Sequence, residues 1–89
     1  MKECQVEILN KRGLHARAAA KLVNLASRFA SEINLIADGE AVEGKSILGI
    51  LMLGAGHGSH LTLRCDGTDE TEATEAIAQL FANRFEETD

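Results

Sequence analysis

Apolar and polar residues alternate at the start of the chain. Cys4, Val6 and Ile8 fall on one side and Gln5 and Glu7 on the other, which predicts a first strand over Lys2–Leu9. The period then changes. Ala19, Leu22, Val23, Ala26, Phe29 and Ala30 recur at three- and four-residue spacing, the stripe of a first helix over Ala16–Ala30. Glu32–Ala37 and Glu40–Glu43 read as strands joined by Asp38-Gly39, a dipeptide that favours tight hairpins. Ser46 is placed to cap a short helix over Ile47–Leu53, with Gly54 just beyond its end. Alternation returns over His60–Asp66, where Leu61, Leu63 and Cys65 face inward and Thr62, Arg64 and Asp66 outward. A third helix is predicted over Asp69–Phe85, with an acidic first turn and a stripe of Ala73, Ala76, Ile77, Leu80, Phe81 and Phe85.

The predicted order is β-α-β-β-α-β-α. Four strands with one apolar face need a cover, and three helices can supply it on that face while the other stays wet. The expected class is therefore α+β: an open-faced β-sandwich, a four-stranded antiparallel sheet covered on one face by three helices. A length of 89 residues suits one domain, residues 1–89. Cys4 and Cys65 fall at the buried phase of their strands and fit no metal-ligand spacing, so they read as small core hydrophobes.

Charge narrows the function. Lys and Arg number 9 against 14 acids, a net charge of −5. That argues against a nucleic acid held through its phosphates and against unaided binding to an anionic membrane. No apolar run is long enough to span a membrane and no signal peptide is visible, so the expected location is cytoplasmic.

The chemistry concentrates in Asn10-Lys11-Arg12-Gly13-Leu14-His15-Ala16-Arg17-Ala18-Ala19-Ala20-Lys21. A strand ends before this stretch and an alanine-rich run of high helix propensity begins inside it. His15 is thus expected at the mouth of a helix with Arg17 in the first turn. The first amides of a helix lack intrahelical acceptors and carry the positive end of its dipole, so an anion is held there. Arg17 adds a forked cation. Uncharged imidazole is a nucleophile, and a His so placed can take a phosphoryl group. The backbone amides of Ala16 and Arg17 are the expected anion donors. Taken alone, a His near a helix start is more often an ordinary surface residue.

The second helix is apolar nearly all round: Ile47, Leu48, Ile50, Leu51, Met52 and Leu53. A short helix on one side of a sheet cannot bury every face, and an apolar surplus marks a docking patch. Other constellations are weaker. His57 and His60 have no carboxylate or thiol at ligand spacing, and the glycine-rich 54–58 stretch follows a helix, the reverse of a phosphate-binding loop. No metal or organic cofactor is expected. Glu70, Glu72 and Glu75 read as a solvated helix start.

Gly13-Leu14-His15-Ala16-Arg17-Ala18-Ala19 resembles the active-site signature of the HPr family, the histidine phosphocarriers of the bacterial phosphoenolpyruvate-dependent phosphotransferase system. Gly44-Lys45-Ser46-Ile47-Leu48-Gly49-Ile50-Leu51-Met52-Leu53 resembles the family's second signature, with its regulatory serine at Ser46. The likeness runs through nearly the whole chain. The alanine run after Arg17 and the acidic end look closest to the nitrogen-related, NPr-like branch. Many relatives have proline where this chain has Ala18.

The resemblance implies a phosphocarrier that is charged at Nδ1 of His15 by Enzyme I and discharged onto a histidine of an enzyme IIA-type protein. Such a carrier forms a covalent phosphohistidine and is not a stand-alone turnover enzyme. The resemblance also implies that Ala16, Ala20, Ile47, Leu48 and Leu51 form the docking surface, that an HPr kinase/phosphorylase could act on Ser46, and that the protein is a monomer. The rival is an HPr-like regulatory module that acts only by docking, with Ser46 as control point. A small hydrolase is a third option, but no general base near His15 is visible in the sequence.

Overall fold

The computed structural model describes residues 1–87. Its elements run β1 (Lys2–Glu7), α1 (Ala16–Ala26), β2 (Glu32–Ala37), β3 (Glu40–Glu43), α2 (Ile47–Leu53), β4 (His60–Asp66) and α3 (Glu70–Ala82), with a short turn of helix at Arg84–Glu86. The expected order is observed. The strands form one antiparallel sheet in the order β1-β4-β2-β3.

Strand alternation decides the two faces. Val6, Ile33, Leu35, Leu61, Leu63 and Cys65 point into a core shared with Ala19, Leu22 and Ala26 of α1, Ile50 of α2, and Ala73, Ile77 and Phe81 of α3. On the open face, cross-strand pairs hold the register: Gln5 Nε2 donates to Thr62 Oγ1 at 2.8 Å, and Arg64 Nε to Glu3 Oε2 at 2.7 Å. Asp38 and Gly39 both take positive φ in the β2–β3 turn, the backbone form an Asp-Gly hairpin requires.

Four boundaries differ from the sequence expectation, the slightest being the start of the third helix, which is Glu70 with Asp69 as the residue before it. The first strand stops at Glu7, although Ile8 still exchanges backbone hydrogen bonds with Gly58 and Ser59. The first helix ends at Ala26, not Ala30. Arg28 N–H bonds Leu25 O and Phe29 N–H bonds Ala26 O, so the chain tightens into turns. The Ala30 N–H is taken instead by the Asp69 carboxylate, and Ala30 is exposed rather than part of the stripe. The third helix ends at Ala82, not Phe85. Arg84, Phe85 and Glu86 all take left-handed φ, 56°, 54° and 64°. Each such non-glycine residue costs roughly 1–2 kcal/mol. The turn folds Phe85 back into the core, where its ring packs edge-on against Phe81 at 4.9 Å between centroids.

Cys65 is buried and Cys4 half-buried, and burial pushes both thiols up. Glu70 is not simply solvated as expected. It pairs with the Met1 amino group at 2.9 Å and accepts from Gly67 N–H, and these contacts hold its carboxyl below the usual range.

Candidate functional site at the start of helix α1

The loop from Leu9 to His15 is built to present one ring. Asn10 is fully buried, and its Nδ2 donates to Gly13 O at 2.8 Å, which closes a tight loop. Gly13 sits at φ 68°, and a Cβ there would come within 2.8 Å of Ala55 O and of Gly56 Cα. Only glycine meets both demands. Leu14 then donates its N–H to Ala55 O at 3.0 Å and buries its side chain, so the loop is pinned to the segment after α2.

His15 follows in extended conformation as the N-cap of α1. Its Nδ1 accepts the Arg17 N–H at 3.3 Å, a role usually filled by Ser, Thr, Asp or Asn. Its Nε2 faces the Glu87 carboxylate in a short hydrogen bond. With Nδ1 accepting, Nε2 carries the proton. Glu87 also accepts from Asn10 Nδ2 at 3.0 Å, so Asn10 shapes the loop and holds the carboxylate together. Glu87 lies far along the chain and no local pattern marks it; from the sequence the end of the chain is simply acidic.

The other expected site residues fall into two groups. Arg17 is exposed, and its guanidinium makes no hydrogen bond or ion pair to any described residue. Ala16 is exposed and Ala20 half-buried. The Arg17 amide expected to bind an anion is here engaged by Nδ1 of its own cap. Helix α2 packs against α1 and forms the second group. Ser46 caps it by accepting the Gly49 N–H at 3.1 Å, and Gly54 ends it in the left-handed conformation at φ 65°. Ile50 is fully buried, whereas Ile47, Leu48 and Leu51 are 44%, 65% and 39% exposed. Met52 is more exposed still, at 76%, and belongs to the same apolar surface. The sequence pattern carried it only as one of the helix's apolar residues.

His57 is exposed and His60 lies 3.5 Å from Glu7 across the β1–β4 pair. Among the described residues, no group of three or more His, Cys, Asp or Glu could hold a metal ion. No helix there is long and apolar enough to cross a membrane.

Residues 2–83 match the family described as the PTS HPr component phosphorylation site. The chain belongs to the HPr family. It is 54% identical to the phosphocarrier protein HPr of Cupriavidus necator over 80 residues, 90% of each chain. Among solved structures, HPr-C-His from Thermoanaerobacter tengcongensis superposes with a TM-score of 0.96 at 45% identity over 99% of both chains. Crh of Bacillus subtilis, a catabolite repression protein described as a dimer with a swapping domain, is 40% identical with a TM-score of 0.76. That match covers 94% of this chain and 97% of Crh. The open-faced fold is thus the HPr fold, and the general role that follows is that of a phosphocarrier of the phosphotransferase system.

Proposed function

We propose that this HPr-family chain accepts a phosphoryl group from Enzyme I on Nδ1 of His15 and passes it to a histidine of an enzyme IIA-type protein. The observation that carries this reading is the ring's own hydrogen bonding. Nδ1 already faces the Arg17 amide at the first turn of α1, so a group bonded to Nδ1 lies where the helix's unpaired amides point. On transfer, the Nδ1 lone pair attacks phosphorus and the P–N bond to the donor's imidazole breaks. The phosphoryl oxygens replace Nδ1 as acceptor for the Arg17 amide, and the Ala16 amide joins it. The exposed Arg17 guanidinium turns in to clamp the charge. Phosphoryl transfer asks a protein mainly for positioning and charge stabilisation, and both are supplied here without a metal or organic cofactor.

Ala16, Ala20, Ile47, Leu48 and Leu51, with Met52 added, serve as the docking surface for both partners. Ser46 lies at its edge, as a residue for an HPr kinase/phosphorylase to modify. Residues 1–89 act as one HPr-like domain, monomeric and in the cytoplasm. The Ala18-Ala19-Ala20 run and the acidic end favour the nitrogen-related branch, in which the acceptor is regulatory and no sugar need move.

Incubation with Enzyme I and phosphoenolpyruvate tests the proposal. The expected result is one acid-labile, alkali-stable phosphate per chain, reached as a plateau. Continued phosphate release would mean a hydrolase, and no label at all would mean a module that acts by docking alone.

A further inference from the structure

Glu87 is held at its place with unusual care. Three consecutive left-handed residues, Arg84, Phe85 and Glu86, turn the chain back after α3. Such backbone persists only where the surroundings over-determine it, and it clusters at functional sites. Here Phe85 is fully buried on one side of the turn. Lys21 of α1 donates to Phe85 O at 2.7 Å and lies 3.6 Å from Glu86 on the other. The segment then delivers Glu87 to His15 Nε2, while the buried Asn10 amide fixes the other carboxylate oxygen. The Glu87 side chain is only 13% exposed. A surface tether would need none of this.

We propose that Glu87 is a positioning residue for the phosphoryl transfer: its carboxylate holds the proton of His15 on Nε2 and so keeps the lone pair on Nδ1. This rests on the reading of His15 given above. The balance is simple. The Nδ1 lone pair forms the bond to phosphorus, and the donor's N–P bond breaks with its electrons returning to the donor imidazole. The proton stays on Nε2. The phosphorylated ring is then a cation facing the Glu87 carboxylate. In onward transfer the ring departs as neutral imidazole, a far better leaving group than imidazolate, again because Nε2 kept its proton. One carboxylate thus serves both loading and unloading. An acid that orients the far nitrogen of a nucleophilic or basic His plays the same part in other active sites.

Full-length chains with 15N-labelled imidazole decide the matter. At mildly alkaline pH, the wild-type His15 proton is expected on Nε2 alone. In Glu87→Ala both tautomers appear, and labelling by Enzyme I and phosphoenolpyruvate slows about tenfold, less than at a fully buried triad because this site is open. Glu87→Gln preserves shape but keeps only one acceptor: with its oxygen on Asn10 Nδ2, its amide group donates to Nε2 and favours the proton on Nδ1, so the variant is expected to show the opposite tautomer and to slow transfer at least as much as Glu87→Ala. Glu87→Asp recovers most of the rate, and Glu75→Gln, a matched loss of charge on the exposed side of α3, leaves spectrum and rate as in the wild type. Unchanged tautomer and unchanged rate in folded Glu87→Ala would overturn the proposal and leave a tether. If the wild type itself takes no label, the reading of His15 falls. The nitrogen spectrum needs no phosphoryl donor and still decides whether Glu87 sets the tautomer.

Discussion

Helix α1 is tied at both ends by carboxylates from distant parts of the chain. Beyond its C-terminal end, Asp69 accepts the Ala30 N–H at 2.8 Å, the Ser31 N–H at 3.0 Å and the Ser31 hydroxyl at 2.5 Å. At its N-terminal end, Glu87 accepts from Asn10 Nδ2 and from His15 Nε2. The Asp69 donors are two amides and a hydroxyl, groups that keep their protons at every working pH. They hold its carboxyl below the usual range, the Ser31 hydroxyl first and the Ala30 amide next. That end is a clamp. At the other end one of the two donors is a ring whose second nitrogen accepts the Arg17 amide at a helix start. The same chemical group makes a fastening where its partners are inert and a reactive centre where its partner can form a further bond.

The largest expected effect lies at the reactive end. His15→Ala is expected to abolish labelling by Enzyme I and phosphoenolpyruvate while the chain keeps its fold, because the ring is a cap rather than a core residue. Labelling retained in that variant would remove the distinction between the two ends. The helix loses a cap, and replacing a good cap by Ala typically costs about 1 kcal/mol.

Asp69→Asn reverses the pattern. It is expected to lower Tm at neutral pH and to leave the labelling rate nearly unchanged. The pH dependence has a definite sign. A carboxyl whose folded pKa is depressed adds stability above its unfolded value, about 3.9. It loses that stability as pH falls through the folded value. The gap in Tm between wild type and Asp69→Asn should therefore be full at neutral pH and shrink below about pH 4. A gap that stays constant into acid would mean that shape, not charge, does the fastening.

A third test asks whether docking and clamping can be separated on α2. Leu48 is 65% exposed and Ile50 fully buried, two residues apart on one helix. Leu48→Glu should slow transfer from Enzyme I severalfold with Tm close to that of the wild type. Ile50→Ala should do the opposite, with a loss of about 2–5 kcal/mol in stability for a buried aliphatic side chain. Stability loss in both would mean that the exposed apolar surface is supporting the core.

What could be read from the sequence follows the range of the interactions. The α2 boundaries were legible because both signals are local, Ser46 before the helix and Gly54 after it. The β2–β3 turn was legible because Asp38-Gly39 leaves few alternatives. The end of α1 was not, since Ser27-Arg28-Phe29-Ala30 contains no breaker and the carboxylate that captures the Ala30 amide lies 39 residues on. The site divides in the same way. His15 and Arg17 stand in one short motif. Glu87 is 72 residues from His15 and reaches it through three left-handed residues, none of them glycine, that no propensity favours. Leu48, Leu51 and Met52 could be counted as surplus on an apolar helix, but only packing showed that Met52 is the most exposed of the three.

Ser46 offers the finest test, because α2 starts with a side-chain cap and has no acidic residue in its first turn. Its hydroxyl accepts one amide, from Gly49 at 3.1 Å. Ser46→Ala is expected to cost about 1 kcal/mol and to leave labelling intact, the signature of a local cap. Ser46→Asp separates capping from charge. Aspartate is itself a good N-cap and its charge suits the positive end of the helix dipole, so Tm should hold or rise slightly. The same charge lies beside exposed Ile47 and Leu48, where a partner's apolar surface would have to desolvate it, so labelling by Enzyme I should slow. Calorimetry and the labelling rate of the two variants together give the answer. A slowed Ser46→Ala would mean that the hydroxyl itself takes part in docking. A normal rate in well-folded Ser46→Asp would place Ser46 off the docking face and leave it, like Asp69, a fastening.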